Sequence, residues 1–276
     1  MNYRHSFHAG NSADVVKHSL LIALVQALQL KPGPLTLIDT HAGGGLYDLG
    51  GEQARRTGEA AHGVMRAFAD ADPLLDDYRA AVRAVNRLEE PHLYPGSPRI
   101  LAQLLRPQDV LILNEKHPED AYALRGAMRG TPAAVHERDA YELWLAMLPT
   151  RTPRGVVVVD PPYERTDERA RISATLAAAH RKWAHGVTVI WFPLKERAAH
   201  QRWKDKLQRL GIPKFLGIEH WLYDAEQTGI YNGAGLFIVN PPYAFTQALP
   251  PMLHALRATL APEGHRGEIT TEWLNV

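Results

Sequence analysis

Val156-Val157-Val158-Val159 is the stretch that most narrows the fold of this chain. Four consecutive β-branched residues leave no polar face for water, so they predict a strand buried on both sides. Such a strand belongs inside a largely parallel sheet with helices covering each face. Asp160-Pro161-Pro162-Tyr163 follows it directly. The prolines end the strand and restrict the local φ, which delivers a carboxylate and an aromatic ring at its C-terminal end. Open α/β sheets bind their ligands at that edge. A carboxylate beside a flat apolar surface suits a flat molecule that carries an amino group.

The rest of the chain reads as alternating helices and strands. Asn11 or Ser12 caps a helix to about Leu30, with Val15, Leu20, Leu21, Leu24, Val25 and Leu28 at helical spacing. Lys31-Pro32-Gly33-Pro34 ends it, and Leu35 to Asp39 reads as a strand running into the glycine-rich turn His41-Ala42-Gly43-Gly44-Gly45. Further strands are expected at Val110–Asn114, Ala133–His136, Val187–Phe192, Lys214–Leu222 and Leu236–Asn240. Helices are expected at Pro118–Met128, Asp139–Leu148, Asp167–Trp183, Lys195–Leu210 and Met252–Leu260, and an edge strand near Ile269. Thr228-Gly229 and Asn232-Gly233 suggest that the last two core strands form a long antiparallel hairpin. The class is a three-layered α/β fold.

Between Tyr47 and Tyr94 the pattern turns helical, with Val64, Phe68, Leu75, Tyr78, Val82 and Val85 as inward positions and no convincing strand. This segment reads as a helical insertion, so the core is expected as two segments, 1–46 and 95–276, around an inserted subdomain at 47–94. Pro95-Gly96-Ser97-Pro98 then starts a helix with Ser97 as the expected N-cap. A chain of 276 residues with 22% charged residues and a net charge of +1 is ordinary for a globular protein, and this balance neither demands nor excludes nucleic acid. The lack of cysteine rules out disulfides and thiolate metal sites and fits a reducing compartment. No apolar run is long enough for a bilayer and no signal peptide is recognisable, so a cytoplasmic location is expected.

Four motifs carry chemistry. The turn after Asp39 lets backbone approach a cofactor, yet it lacks the G-x-G-x-x-G spacing and the acid some twenty residues on that a nicotinamide site requires. Glu115 and Asp139 end the next two strands, where one carboxylate can accept from both ribose hydroxyls and the other can meet an exocyclic amine; each could equally be a helix cap. Asp160 and the Pro161 carbonyl offer two acceptors for both hydrogens of an adenine N6 amine, with Tyr163 expected to stack on the base. Asn240-Pro241-Pro242-Tyr243 has the same chemistry on paper, but its strand reads as antiparallel and ends at the opposite edge. His5, His8, His18 and His41, with Asp14 and Asp39, match no familiar zinc spacing, and no metal is expected. Lys195, Arg197, Arg202, Lys204, Lys206 and Arg209, around Trp203, either track phosphates or form a solvated helix face.

The opening run Tyr3-Arg4-His5-Ser6-Phe7-His8-Ala9-Gly10-Asn11-Ser12-Ala13-Asp14-Val15-Val16-Lys17-His18 resembles the signature of the bacterial 23S ribosomal RNA adenine-N6 methyltransferase J family. Asp39-Thr40-His41-Ala42-Gly43, Tyr94-Pro95-Gly96-Ser97-Pro98, Asp160-Pro161-Pro162-Tyr163 and Asn240-Pro241-Pro242 are similar to that family in the same order. The resemblance implies a Rossmann-like class I methyltransferase sheet, mostly parallel with its last core strand antiparallel, and S-adenosylmethionine as methyl donor. It implies that His18, His41, Ser97, Glu115, Asp139 and Ala140 line the cofactor pocket, that Asp160 is the catalytic acceptor, and that Tyr3 contacts the RNA. Lys17 is a further candidate beside His18. The expected substrate is one adenine of 23S rRNA, free or early in assembly, flipped out against Asp160, Pro161 and Tyr163 by a monomeric enzyme. The alternatives are a DNA adenine or protein-glutamine methyltransferase using the same acceptor pair, and a non-catalytic RNA-binding protein.

Overall fold

The computed structural model describes residues 4–88, 90–223 and 231–276. Its strands are β1 (Leu35–Asp39), β2 (Leu46–Asp48), β3 (Leu93–Pro95), β4 (Val110–Asn114), β5 (Ala134–His136), β6 (Arg154–Val159), β7 (Val187–Leu194), β8 (Phe215–Trp221), β9 (Gly233–Val239) and β10 (Glu268–Asn275). Its α-helices are α1 (Ser12–Gln29), α2 (Glu52–Thr57), α3 (Val64–Ala69), α4 (Asp76–Arg83), α5 (Ser97–Leu104), α6 (Pro118–Ala127), α7 (Ala140–Ala146), α8 (Glu168–Lys182), α9 (Arg197–Gln208) and α10 (Tyr243–Leu260).

Eight strands form one sheet in the order β10-β8-β9-β7-β6-β1-β4-β5. From β7 to β5 every neighbouring pair is parallel, whereas β9 is antiparallel to both β7 and β8, and β10 to β8. The valine run of β6 is central, and its pleat divides it. Val156 and Val158 enter the cluster under α1 and α10, while Val157 and Val159 enter the one under α7, α8 and α9. All four are at most 1% exposed, so each contributes roughly 1.5–3 kcal/mol of apolar burial on both faces together. Because β1, β4, β5, β6 and β7 run the same way, the turns after Asp39, Asn114, His136, Val159 and Leu194 converge on one edge. This is a Rossmann-like sheet, mostly parallel with an antiparallel end, as expected. No described helix is long and apolar enough to cross a membrane.

Local differences from the sequence reading have physical causes. The segment expected as a helical insertion is not purely helical: β2 and β3 pair antiparallel across it, with Leu46 opposite Pro95 and Asp48 opposite Leu93. Three residues per strand are too few for a recognisable alternation. Its inward residues Val64, Leu75, Tyr78 and Val82 are buried in the same cluster as α1 and α10. Gly96, not Ser97, is the N-cap of α5; Ser97 is its first residue, and its hydroxyl donates to Asp39 Oδ2 at 2.6 Å. Helix α10 starts at Tyr243, well before the expected Met252, and carries Pro250 and Pro251 inside it. Buried Phe245, Leu249, Leu253, Leu256 and Leu260 keep their spacing through the prolines, and packing on α1 outweighs the lost backbone bonds. Of the expected hairpin turn, Thr228 and Gly229 lie outside the described residues.

Candidate active site at the carboxyl edge of the sheet

The strand ends enclose a cavity of about 370 Å³. Its walls include Thr40 to Gly44 after β1, Ser97, Glu115, Asp139 to Tyr141, and Asp160 to Pro162; His5, Lys17 and His18 come from the N-terminal segment. Gly43, at φ +60°, makes the close approach possible: a Cβ there would lie 2.3 Å from the Tyr47 hydroxyl. Its backbone N–H donates to Glu115 Oε2 at 2.9 Å, and the His117 N–H donates to Oε1 at 2.7 Å. Both Glu115 oxygens are thereby oriented with lone pairs to spare, and burial pushes the carboxyl up from its ordinary range.

Helix α1 is buried almost all round, so its polar residues need partners inside the protein. Lys17 Nζ lies 2.6 Å from Asp160 Oδ2 and 2.9 Å from Asp14 Oδ1. Asp14 Oδ2 also meets His5 Nε2 at 3.0 Å and accepts from the Gly10 N–H at 2.9 Å. Burial opposes both charges, yet His5 and Lys17 hold the Asp14 carboxyl well below its usual range, and the two aspartates hold the Lys17 ammonium well above its own. Asp160 lines the cavity and its Oδ1 has no hydrogen-bond partner among the described residues, so one oxygen is fixed by Lys17 and the other is left without a protein donor.

His18 is fully buried and, through burial and the neighbouring Lys17 charge, is held well below the ordinary imidazole range. Tyr78 donates to the Tyr94 hydroxyl at 3.3 Å, and Tyr94 lies 2.7 Å from His18 Nδ1. This chain of donors assigns the imidazole proton to Nε2, which is sealed from water and has no protein partner. An acceptor belongs there. Burial likewise lowers His41 to about 4, so it is neutral at pH 7, with Nδ1 2.8 Å from the Thr40 hydroxyl. Asp39, behind the wall, is pushed up to about 7 by burial, a shift to which the Asp160 charge adds. At the far end Asp139 caps α7, accepting from the Tyr141 and Glu142 N–H groups, and also pairs with Lys116 at 3.1 Å and Arg171 at 3.3 Å. Burial resists its charge, but these donors pull the carboxyl down to about 2.

Nine of the ten residues singled out from the sequence can be located. His18, His41, Ser97, Glu115, Asp139, Ala140, Asp160 and Pro161 all line the one cavity. Tyr3 lies outside the described residues. Tyr163 is not among the residues lining that cavity: at φ +53° its ring lies edge-on to Trp191 and Trp203, and its hydroxyl donates to the Trp191 carbonyl at 2.6 Å. The helix-cap reading holds for Asp139 alongside its place in the wall. Asn240 lies at the other edge, where its amide donates to the Ala184 and Gly186 carbonyls at the start of β7. What the sequence reading underweighted is the Asp14–Lys17 pair and His5; their signal was an acid and a base three residues apart on an otherwise apolar helix.

The family model described as ribosomal RNA large subunit methyltransferase D, RlmJ, matches residues 32–275. Two relatives named ribosomal RNA large subunit methyltransferase J are 38% identical (Escherichia coli strain K12) and 35% identical (Haemophilus influenzae), each over 99% of both chains. The crystal structure of protein LPL1258 from Legionella pneumophila is 30% identical, with a TM-score of 0.87 over 96% of this chain and 98% of that one. A probable spermidine synthase from Corynebacterium glutamicum, 12% identical, shares the fold at a TM-score of 0.50 over 94% of this chain and 75% of its own. Agreement over the full length with both relatives, and a family model running through every strand-end acid of the cavity, make the chain a member of the RlmJ family of ribosomal RNA large subunit methyltransferases.

Proposed function

We propose that this chain methylates the N6 amine of an adenine in 23S rRNA with S-adenosylmethionine as donor. Membership of the family supports methyl transfer to ribosomal RNA. The finer assignment is carried by one observation: Asp160 and Pro161 open on the same cavity as the Gly43 turn and Glu115.

The residues present fit the donor. Glu115 offers two oriented oxygens to ribose hydroxyls, the Gly43 turn admits close backbone approach, and the orphaned His18 Nε2–H awaits an acceptor such as a carboxylate. Asp139 already holds two backbone donors and two cations, so its part is to hold the wall around the nucleobase end. When bound, S-adenosylmethionine supplies an electrophilic methyl group. At the other side Asp160 Oδ1 and the Pro161 carbonyl accept the two N6 hydrogens of a flipped-out adenine. Held this way, the nitrogen gives up part of its conjugation with the ring, and its lone pair becomes available. Positive charge develops on N6 as the N–C bond forms and the methyl's bond to sulfur breaks, S-adenosylhomocysteine being the leaving group. The Asp160 carboxylate stabilises that charge in a site partly shielded from water, and the surplus N6 proton is then lost to solvent. Lys17 keeps that carboxylate in place through the oxygen that substrate does not use.

The test is mass spectrometry of nucleosides from a 23S rRNA transcript incubated with enzyme and S-adenosylmethionine. N6-methyladenosine is expected, and Asp160→Ala is expected to slow its formation by roughly 10²–10³, the usual loss for one preorganised electrostatic contact. A methyl group found on another atom, or undiminished transfer by Asp160→Ala, overturns the proposal.

A further inference from the structure

The basic residues of α9, left between two readings by the sequence, are divided by the fold. Arg197 reaches Glu268 at 2.9 Å and lies over Trp221, and Lys204 reaches Glu219 and Glu272 at 2.9 and 2.7 Å. Those two cations belong to the junction with β8 and β10. Arg202 stands three residues after Ala199, whose carbonyl meets α8; it is exposed and no carboxylate pairs with it among the described residues. Across from it, Arg169 of α8 is half-buried. Its guanidinium lies 5.1 Å from the centre of the Trp203 ring and donates to the Ala199 carbonyl at 3.1 Å. A guanidinium has five N–H donors, and the Ala199 bond is the one that Arg169 makes among the described residues. It too lacks a carboxylate in hydrogen-bond range among the described residues.

Two features make this pair unlike a solvated helix face. First, Arg169 is ordered in advance: the indole of Trp203, 3% exposed and tied to Ser173 Oγ at 3.1 Å, holds its plane. Tyr163 packs edge-on to the same indole at 6.4 Å. One buried ring therefore positions both the arginine and the end of the loop that carries Asp160. Second, like charges are kept together. Burial and the nearby Arg202 both disfavour the Arg169 charge, opposed by Tyr163 and Glu196. The Arg169 donors that Ala199 does not use are left for an anion, and Lys195, exposed at the end of β7, adds a third cation at the same edge.

We propose that Arg169 and Arg202 form a phosphate-binding ridge beside the Asp160 loop, which grips the sugar–phosphate backbone of the RNA strand next to the adenosine that enters the cavity. The proposal rests on the function proposed above and names its RNA contact. A flipped nucleotide leaves its flanking phosphates outside the mouth, and a planar, preorganised guanidinium binds a phosphodiester through paired N–H donors. The contact positions the strand and reads no sequence.

The experiment measures binding of a labelled 23S rRNA transcript across a salt series for the wild type, Arg169→Gln, Arg202→Gln and Arg181→Gln, with S-adenosylhomocysteine affinity measured in parallel. Arg181 removes the same charge from the last turn of α8, at the opposite edge of the sheet. Each ridge variant is expected to weaken RNA binding about tenfold, the size of one charge-assisted hydrogen bond, and to lower the slope of log Kd against log salt by roughly 0.7–0.9. Cofactor affinity should stay within about twofold, since neither residue lines the cavity. Unchanged slopes in both ridge variants, or an equal change in Arg181→Gln, overturn the ridge. Methyl transfer by the wild type is scored separately on the same transcript, so a failure of the proposed function is told apart from a failure of the ridge.

Discussion

Lys17→Met is the most discriminating test of the buried charge arrangement. Methionine keeps most of the stem's volume, so the change removes one charge with little loss of packing. The lysine side chain is 6% exposed, and its two partners Asp14 and Asp160 are 2% and 15% exposed. Removing it leaves two carboxylates without their shared cation, and Asp14 retains His5 and the Gly10 N–H. Breaking a buried pair from one side costs about 3–5 kcal/mol, most of it the penalty on the charge left behind. Asp14→Asn in the same chain removes one of those stranded charges, so Lys17→Met with Asp14→Asn should cost less than the two single changes together, by about 1–3 kcal/mol. Urea unfolding of the four proteins at fixed pH closes the cycle, and the slope with denaturant should stay constant across them. Additivity within about 0.5 kcal/mol would falsify the idea that Lys17 neutralises Asp14 inside the protein.

Asp39 predicts a pH dependence. Its folded value of about 7 stands above the ordinary aspartate range, so between about pH 4 and 7 the native state holds a proton that the unfolded chain has lost. Stability from this group is therefore largest in acid and falls as pH rises through that window, on the order of 4 kcal/mol in all. The difference between wild type and Asp39→Asn, followed by unfolding across pH 4–8, should show that fall and level off above about pH 7; a difference that grows the other way contradicts the assignment. Tyr163→Phe should lower stability by about 1 kcal/mol through loss of the bond to the Trp191 carbonyl, read by thermal melts, because the hydroxyl holds the loop to β7. An unchanged melt would show that this bond does not hold the loop to β7.

Much of the layout could be read from composition and periodicity because it is local. The β6 valines, the turn after Asp39 and the acids at 115 and 139 declare themselves within a few residues, and the common direction of the parallel strands then gathers them at one edge. The two-residue-scale features failed for the same reason in reverse. β2 and β3 are three residues each and exist by pairing across the insertion, and Ser97 looked like a cap because its real partner, Asp39, is 58 residues away. The packing of Tyr163 on Trp191 and Trp203 was not legible because a ring at a strand end points wherever its backbone turns it, and φ +53° is not written in the residue type.

The two proline-rich tetrapeptides carry this further. Asp160 and Asn240 begin segments of the same chemistry and both follow buried strands, yet β9 runs against β6, so Asn240 ties down the start of β7 while Asp160 meets the cavity. Strand direction decides the difference, and direction is a property of the whole sheet. Asp14 and Lys17 make the complementary case. At positions i and i+3 of a helix an acid and a base usually form a surface pair worth a few tenths of a kcal/mol. Here α10, the insertion and the sheet close around α1, and the same two residues become a buried relay that fixes one oxygen of Asp160 and leaves its neighbour for substrate. The site's chemistry thus depends on packing that lies outside the motif: a change that loosens α1 from α10 should release Lys17 from Asp160 while every residue of the Asp160 loop remains in place.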